Sequence, residues 1–148
     1  MPQPATRRAV VVTLVLYLGL VARITLWPAP SSSGLFFDLV DDILTWFLRA
    51  GVPLSFSQLE ASANVVMFVP FGVLVGLLVR RRWLVVVLGL CLSAAIELTQ
   101  LLFFPTRVPS IRDVVMNTLG ATIGLLGLQA ARSINARRRA GTAEGTTG

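Results

Sequence analysis

Two acidic side chains, Glu97 and Asp113, stand inside largely apolar stretches, and each is followed by an amide at helical spacing: Gln100 after Glu97, Asn117 after Asp113. Arg107 and Arg112 lie between the two runs, and Asn64 sits upstream in another apolar stretch. These residue types allow three kinds of chemistry. Two carboxylates in different environments can divide into an acid and a base. Carboxylates with Asn and Gln amides offer hard oxygen ligands to a cation. Two arginines can hold a phosphate or carboxylate, bidentately where the geometry allows. The chain has no histidine, which removes His-ligated zinc and Ser-His or Cys-His catalysis, and no nucleophile stands out. The one cysteine, Cys91, lies in an apolar run without a second thiol to pair with. No metal site and no cofactor are expected.

The elements that must position these residues are membrane spans. Hydrophobic residues make up 55% and charged residues 14%, against about 25% charged in soluble domains, and the mean hydropathy is +0.78. A chain of 148 residues cannot hide so much apolar side chain in one core, so lipid must solvate much of it. Four stretches, 9–27, 58–79, 83–104 and 110–131, have the length of a spanning helix, roughly 20 residues. The expected fold is all-α: a polytopic membrane protein with four transmembrane helices and one short interfacial amphipathic helix. That last element covers 35–50, where Asp38, Asp41, Asp42, Thr45 and Arg49 form one stripe and Phe36, Phe37, Trp46 and Phe47 lie off it. Ser57-Gln58-Leu59-Glu60 has the form of a capping box and is expected to start the second span. The bundle is expected to occupy 9–131 as one domain, with 1–8 a short N-terminus and 132–148 a tail that is disordered from Ala140.

Orientation follows from the arginines. The net charge of +6 could suggest nucleic acid, but the arginines cluster at the ends of apolar runs: Arg7 and Arg8; Arg80, Arg81 and Arg82; Arg132, Arg137, Arg138 and Arg139. That placement is juxtamembrane, and no nucleic-acid partner is expected. Placing both termini in the cytoplasm keeps all these clusters inside and sends Asp38, Asp41 and Asp42 outward, with Arg49, Arg107 and Arg112. Arg7-Arg8 before an apolar run also resembles a signal peptide. The run is longer than an h-region of roughly 7–15 residues and no A-x-A site follows, so a retained span is expected.

In this orientation the polar residues within the spans converge on the outer half of the membrane. Glu97 stands seven residues before Phe104 at the end of its span, roughly 10 Å deep. Ser93 and Gln100 share its face, Asp113 and Asn117 enter from the same side, and so does Asn64. A charged residue inside a span costs at least about 2.5–3.5 kcal/mol on insertion scales, which makes a functional site the first reading of Glu97. The competing reading is interhelical glue, worth about 0.6 kcal/mol for each polar group, or an ion-paired structural network. Gly72-x-x-x-Gly76 and Gly120-x-x-x-Gly124 read as packing patterns that let helices approach closely. Pro70, inside the second span, frees a carbonyl and is expected to kink it.

Taken in order, these motifs resemble the VanZ-like family of bacterial membrane proteins. The first stretch is Asn64-Val65-Val66-Met67-Phe68-Val69-Pro70-Phe71-Gly72, similar to N-x-x-x-F-x-P-x-G. The second runs Glu97-x-x-Gln100, Arg107, then Asp113-x-x-x-Asn117-x-x-Gly120-x-x-x-Gly124. Together they cover about residues 60–127. Glu60 departs from the aspartate common at that place in the family, and residues 35–50 and the first span carry no family motif. The resemblance implies a role in the cell envelope at the bacterial cytoplasmic membrane. The family takes its name from a protein associated with low-level resistance to teicoplanin, a glycopeptide acting outside that membrane. It implies no reaction.

The expected function is therefore non-catalytic: an outward pocket of Asn64, Glu97, Gln100, Arg107, Arg112, Asp113 and Asn117 that binds a lipid head group or a lipid-linked wall precursor. Arg107 and Arg112 would hold the anion, oriented by Glu97 and Asp113. Membrane lipids and the precursor are then the partners. An intramembrane enzyme using Glu97 and Asp113 on a lipid-linked substrate is the alternative, as is a structural partner of another envelope protein. A transporter fits less well, because four spans without a repeated half offer little alternating-access machinery.

Overall fold

Each of the four apolar stretches forms one helix in the computed structural model, which describes residues 4–26, 41–42, 45–51, 55–104 and 110–144. The helices are α1 (Pro4–Leu26), α2 (Phe56–Leu78), α3 (Arg82–Phe103) and α4 (Ile111–Glu144). All four are long and apolar enough to cross a membrane, and no strand occurs among the described residues. The chain is an all-α, multi-pass membrane protein.

The ends of the helices differ from the hydropathy reading in three places, each for a local reason. Helix α1 begins at Pro4, ahead of residue 9; proline suits a first helical position because its missing N–H would be unpaired there anyway. Helix α2 is capped by Ser55, not by Ser57 as the S-x-x-E pattern suggests. The Ser55 hydroxyl accepts from the Gln58 N–H at 3.3 Å, while the Ser55 N–H donates to Gln58 Oε1 at 2.8 Å. Glutamine at the third position completes the box as well as glutamate does, and Ser57 is left to serve another helix. Ser55→Ala is expected to cost about 1 kcal/mol, read as a lower unfolding midpoint in detergent. Thirdly, α4 does not stop at residue 131. The tail expected to be disordered is helical as far as Glu144, because a helix already nucleated in the bundle extends readily through residues such as Ala and Arg. At 34 residues it is about 51 Å long, well beyond a hydrocarbon core of about 30 Å.

The core is a pairing of α2 with α4, although α3 separates them in sequence. The two run parallel at a constant offset: Ser57 meets Arg112, Val65 meets Gly120, and Val69 meets Gly124, each pair 55 residues apart. The glycines make this approach possible. A Cβ added at Gly120, Gly124 or Gly72 would overlap the carbonyl oxygen of Val65, Val69 or Ala121 respectively. At Gly76 it would press on Leu128 Cδ2 at 3.0 Å. Helix α3 runs back antiparallel against both, with Gly89 facing the Ala121 methyl. Phe68, Phe71, Val75, Val85, Ile96, Ala121 and Leu125 fill the space between the three. Pro70 sits within a continuous α2 and is exposed on its outer side.

Helix α1 is peripheral. Only 6% of its apolar window is buried, against 33% in α2 and in α3. Val21 is its one buried residue, and the Tyr17 hydroxyl donates to the Met67 carbonyl of α2. Leu14, Leu18 and Leu26 pack against the core, whereas Val12, Val15, Leu16 and Leu20 face outward, as do Leu101, Leu102 and Phe103 of α3 and Ile111 and Leu126 of α4. In lipid that exposure has no cost.

Of the expected interfacial helix, residues 41–42 and 45–49 are helical. Trp46 and Phe47 pack edge to face with ring centroids 4.8 Å apart, and Asp41 and Asp42 are exposed. The segment ends at Gly51, whose φ of 79° is a helix-terminating conformation open to glycine. Residues 35–40, with Asp38, and 43–44 lie outside the described residues.

Candidate functional site

The polar face of α3 lies buried at the end of the bundle opposite the arginine clusters. Ser93 and Glu97 are 0% and 9% exposed, Gln100 is 7% exposed, and Asn117 of α4 is 3% exposed. Their i, i+4, i+7 spacing on α3 aims the three side chains of that helix along one stripe, and each makes a contact with a different part of the fold. Deepest, the Asn117 amide donates to Ser93 Oγ at 2.8 Å and joins α4 to α3. One turn further along α3, Glu97 Oε2 accepts from the Ser110 backbone N–H at 2.8 Å. Ser110 stands immediately before α4, and its own carbonyl accepts from the Asp113 N–H at 3.0 Å in the first helical turn. Glu97 therefore sets an oxygen acceptor at the start of α4, where backbone N–H groups have no partner within the helix. Near the end of α3, Gln100 Nε2 donates to the Thr25 carbonyl at 2.9 Å. Thr25 lies in the last turn of α1, whose carbonyls have no partner within their own helix.

The remaining residues of the expected site form a rim. Asn64 on α2 and Asp113 on α4 are half-buried, and neither side chain has a hydrogen bond among the described residues. Arg112 is exposed and reaches across to α2: its Nη2 donates to the Ser57 carbonyl at 2.8 Å and its Nη1 to the Ser57 hydroxyl. Asp113 thus orients neither that guanidinium nor any other among the described residues. Arg107 lies outside the described residues. Asn117 Oδ1 is buried without a partner among the described residues, next to the filled Ser93 contact.

Three partners in this arrangement escape a reading of side-chain type. Ser110 contributes a backbone N–H, Thr25 a backbone carbonyl, and Ser57 both a carbonyl and a hydroxyl. A serine just before an apolar run is the one available signal, since such residues open helices. Among the described residues no group of three or more Cys, Asp or Glu gathers in a way that would hold a metal ion. What the arrangement can do chemically is accept hydrogen bonds: a carboxylate at Asp113 and an amide oxygen at Asn117 lie one turn apart on the same face of α4.

A family model described as VanZ/LLP1 matches residues 14–132, which takes in all of α2 and α3, most of α1 and α4, and every polar residue of this site. Comparison with curated proteins and with solved structures gives no match. The family match covers most of the chain, and the four apolar helices agree with it. This multi-pass membrane protein belongs to the VanZ/LLP1 family.

Proposed function

We propose that the protein acts without catalysis, holding the polar head group of a lipid or a lipid-linked wall precursor at the end of the bundle that carries Asn64, Asp113 and Asn117. The observation that carries this reading is Asn117 Oδ1, without a partner among the described residues, in a side chain 3% exposed and one turn below an Asp113 likewise without a side-chain partner among them. A buried acceptor left without a donor costs about 1–3 kcal/mol. A ligand rich in amide N–H and hydroxyl groups supplies donors to both, and Asn64 adds an amide that can give or accept. Arg112, anchored on Ser57, would bring positive charge to the rim for a phosphate. With the arginine-rich end in the cytoplasm, this end faces outward, where teicoplanin acts and where wall precursors are used. The resemblance to the family named for teicoplanin resistance supports extending this reading to a contribution to teicoplanin tolerance at the bacterial cytoplasmic membrane.

The test compares teicoplanin sensitivity of a strain lacking the protein with the same strain carrying wild type, Asn117→Leu or Asp113→Asn at matched membrane abundance. Wild type is expected to restore tolerance and both variants to fail. Full tolerance with both variants would remove the head-group reading.

A second reading has its own observation. Glu97 and Gln100 each bond the backbone at the end of another helix, which is what a purely structural clamp would do. On that reading the protein supports another envelope protein, and Asp113→Asn leaves every phenotype unchanged while Glu97→Leu removes it.

A further inference from the structure

The opposite end of the bundle holds a cleft that neither the polar layer nor the family motifs use. It has a volume of about 490 Å3 and is lined by Arg7 from α1, Arg80 from the α2–α3 turn, Arg82 from the start of α3, and Gln129 and Arg132 from α4. Its wall towards the bundle is apolar, formed by the end of α2 and Leu125, and includes Gly76, where a side chain would press on Leu125 and Leu128. Four arginines from three places in the sequence thus line one cleft. Of the seven carboxylates in the chain, six (Asp38, Asp41, Asp42, Glu60, Glu97 and Asp113) belong to the other end or the segments leading to it, and the seventh is Glu144. None of the described carboxylates lines the cleft, and no ion pair holds Arg7, Arg80, Arg82 or Arg132 among the described residues.

Topology alone explains why arginines gather at one end of a membrane protein. It does not explain why some converge and others do not. Arg8 and Arg81, immediate neighbours of lining residues, stay out of the cleft, as do Arg137, Arg138 and Arg139. Like charges facing one cavity repel unless an anion lies between them. Guanidinium groups match phosphate oxygens bidentately, and the volume lies within the roughly 300–1,000 Å3 of ordinary ligand sites. The charged mouth lies beside an apolar wall at the rim of a helix bundle, so the anion best suited carries acyl chains. We propose that this cleft binds the phosphodiester head group of an anionic phospholipid, with Arg7, Arg80, Arg82 and Arg132 around the phosphate and Gln129 bonding a head-group hydroxyl. Basic pockets between membrane helices are suited to such lipids.

The test is native mass spectrometry of the full chain in neutral detergent with phosphatidylglycerol, phosphatidylcholine or inorganic phosphate. Phosphatidylglycerol is expected to bind at least about tenfold more tightly than phosphatidylcholine, the equivalent of about 1.4 kcal/mol from the charge-assisted bonds. Arg80→Gln with Arg132→Gln should abolish that preference. Arg81→Gln with Arg137→Gln, which removes the same charge outside the cleft, should preserve it. Equal binding of the two lipids, or equal loss in both double variants, overturns the site. Displacement of the lipid by inorganic phosphate at equal concentration overturns the lipid as its occupant. The wild-type comparison stands even if a variant fails to fold.

Discussion

Gly120→Ala is expected to separate α2 from α4 and to lower the stability of the bundle by about 3 kcal/mol or more. Overpacking ordinarily costs about 1–3 kcal/mol, because side chains can shift to make room. Here the added methyl meets the backbone carbonyl of Val65, which cannot rotate away without moving the helix. Moving α2 outward would also loosen the Val69–Gly124 and Ala121–Gly72 contacts along the same crossing. In lipid this matters more than in water, since no hydrophobic force draws the helices together again and van der Waals packing carries much of the association. The chain supplies its own control. A Cβ at Gly127 or Gly19 would meet nothing within 4 Å, so Gly127→Ala and Gly19→Ala should be neutral or stabilising by up to about 1 kcal/mol through helix propensity. Unfolding midpoints of the three variants in mixed micelles decide the matter. Equal behaviour would mean that the parallel α2–α4 pairing is not the core of the protein.

Glu97→Leu is the second substitution with a large expected effect, about 2–4 kcal/mol against assembly of the bundle. Two contributions act in the same direction. The Ser110 N–H loses its acceptor, worth about 1–3 kcal/mol. In addition, a carboxylate on a separated α3 would sit in lipid at a cost of about 2.5–3.5 kcal/mol, a penalty that drives α3 towards its partners and that leucine does not carry. Only part of it counts, because a separated helix finds other partners for its polar group. Glu97→Gln keeps an oxygen acceptor for Ser110 and should stay within about 1 kcal/mol of wild type. Amide hydrogen exchange at Ser110 reads the difference directly: faster by about 10- to 100-fold in the leucine variant and nearly unchanged in the glutamine variant. If both exchange as wild type does, Glu97 does not fasten the start of α4. Because glutamine preserves the bond and removes the ionisable carboxyl, loss of tolerance in that variant alone would assign the carboxyl to function rather than to the fold.

The spans were legible in the sequence because hydropathy is local. Each apolar residue of 9–27, 58–79, 83–104 and 110–131 prefers lipid whatever its neighbours in the fold, and a stretch of the right length becomes a helix since lipid leaves its backbone no other partner. Helix-end details were less so. Ser55 and Ser57 both precede plausible box partners, and only the geometry of the turn selects Ser55, leaving Ser57 to receive Arg112. The spacing of Glu97, Gln100, Asp113 and Asn117 likewise marked one face on each helix, yet not what each face meets.

What those faces meet was decided by tertiary structure alone. Four alternating spans make α2 and α4 parallel, but nothing in the order of the chain says that these two, rather than sequence neighbours, form the closest pair, at a 55-residue offset. Nor does it say that Glu97 and Gln100 reach the ends of two other helices, or that Arg7, Arg80, Arg82 and Arg132 share one cleft while Arg8 and Arg81 do not. The physical reason is the solvent. Water would reward any burial of an apolar face, and the pattern of such faces could then be read in advance. Lipid solvates those faces as well as protein does, so helix pairing falls to close backbone approach and polar contacts between residues far apart in the chain.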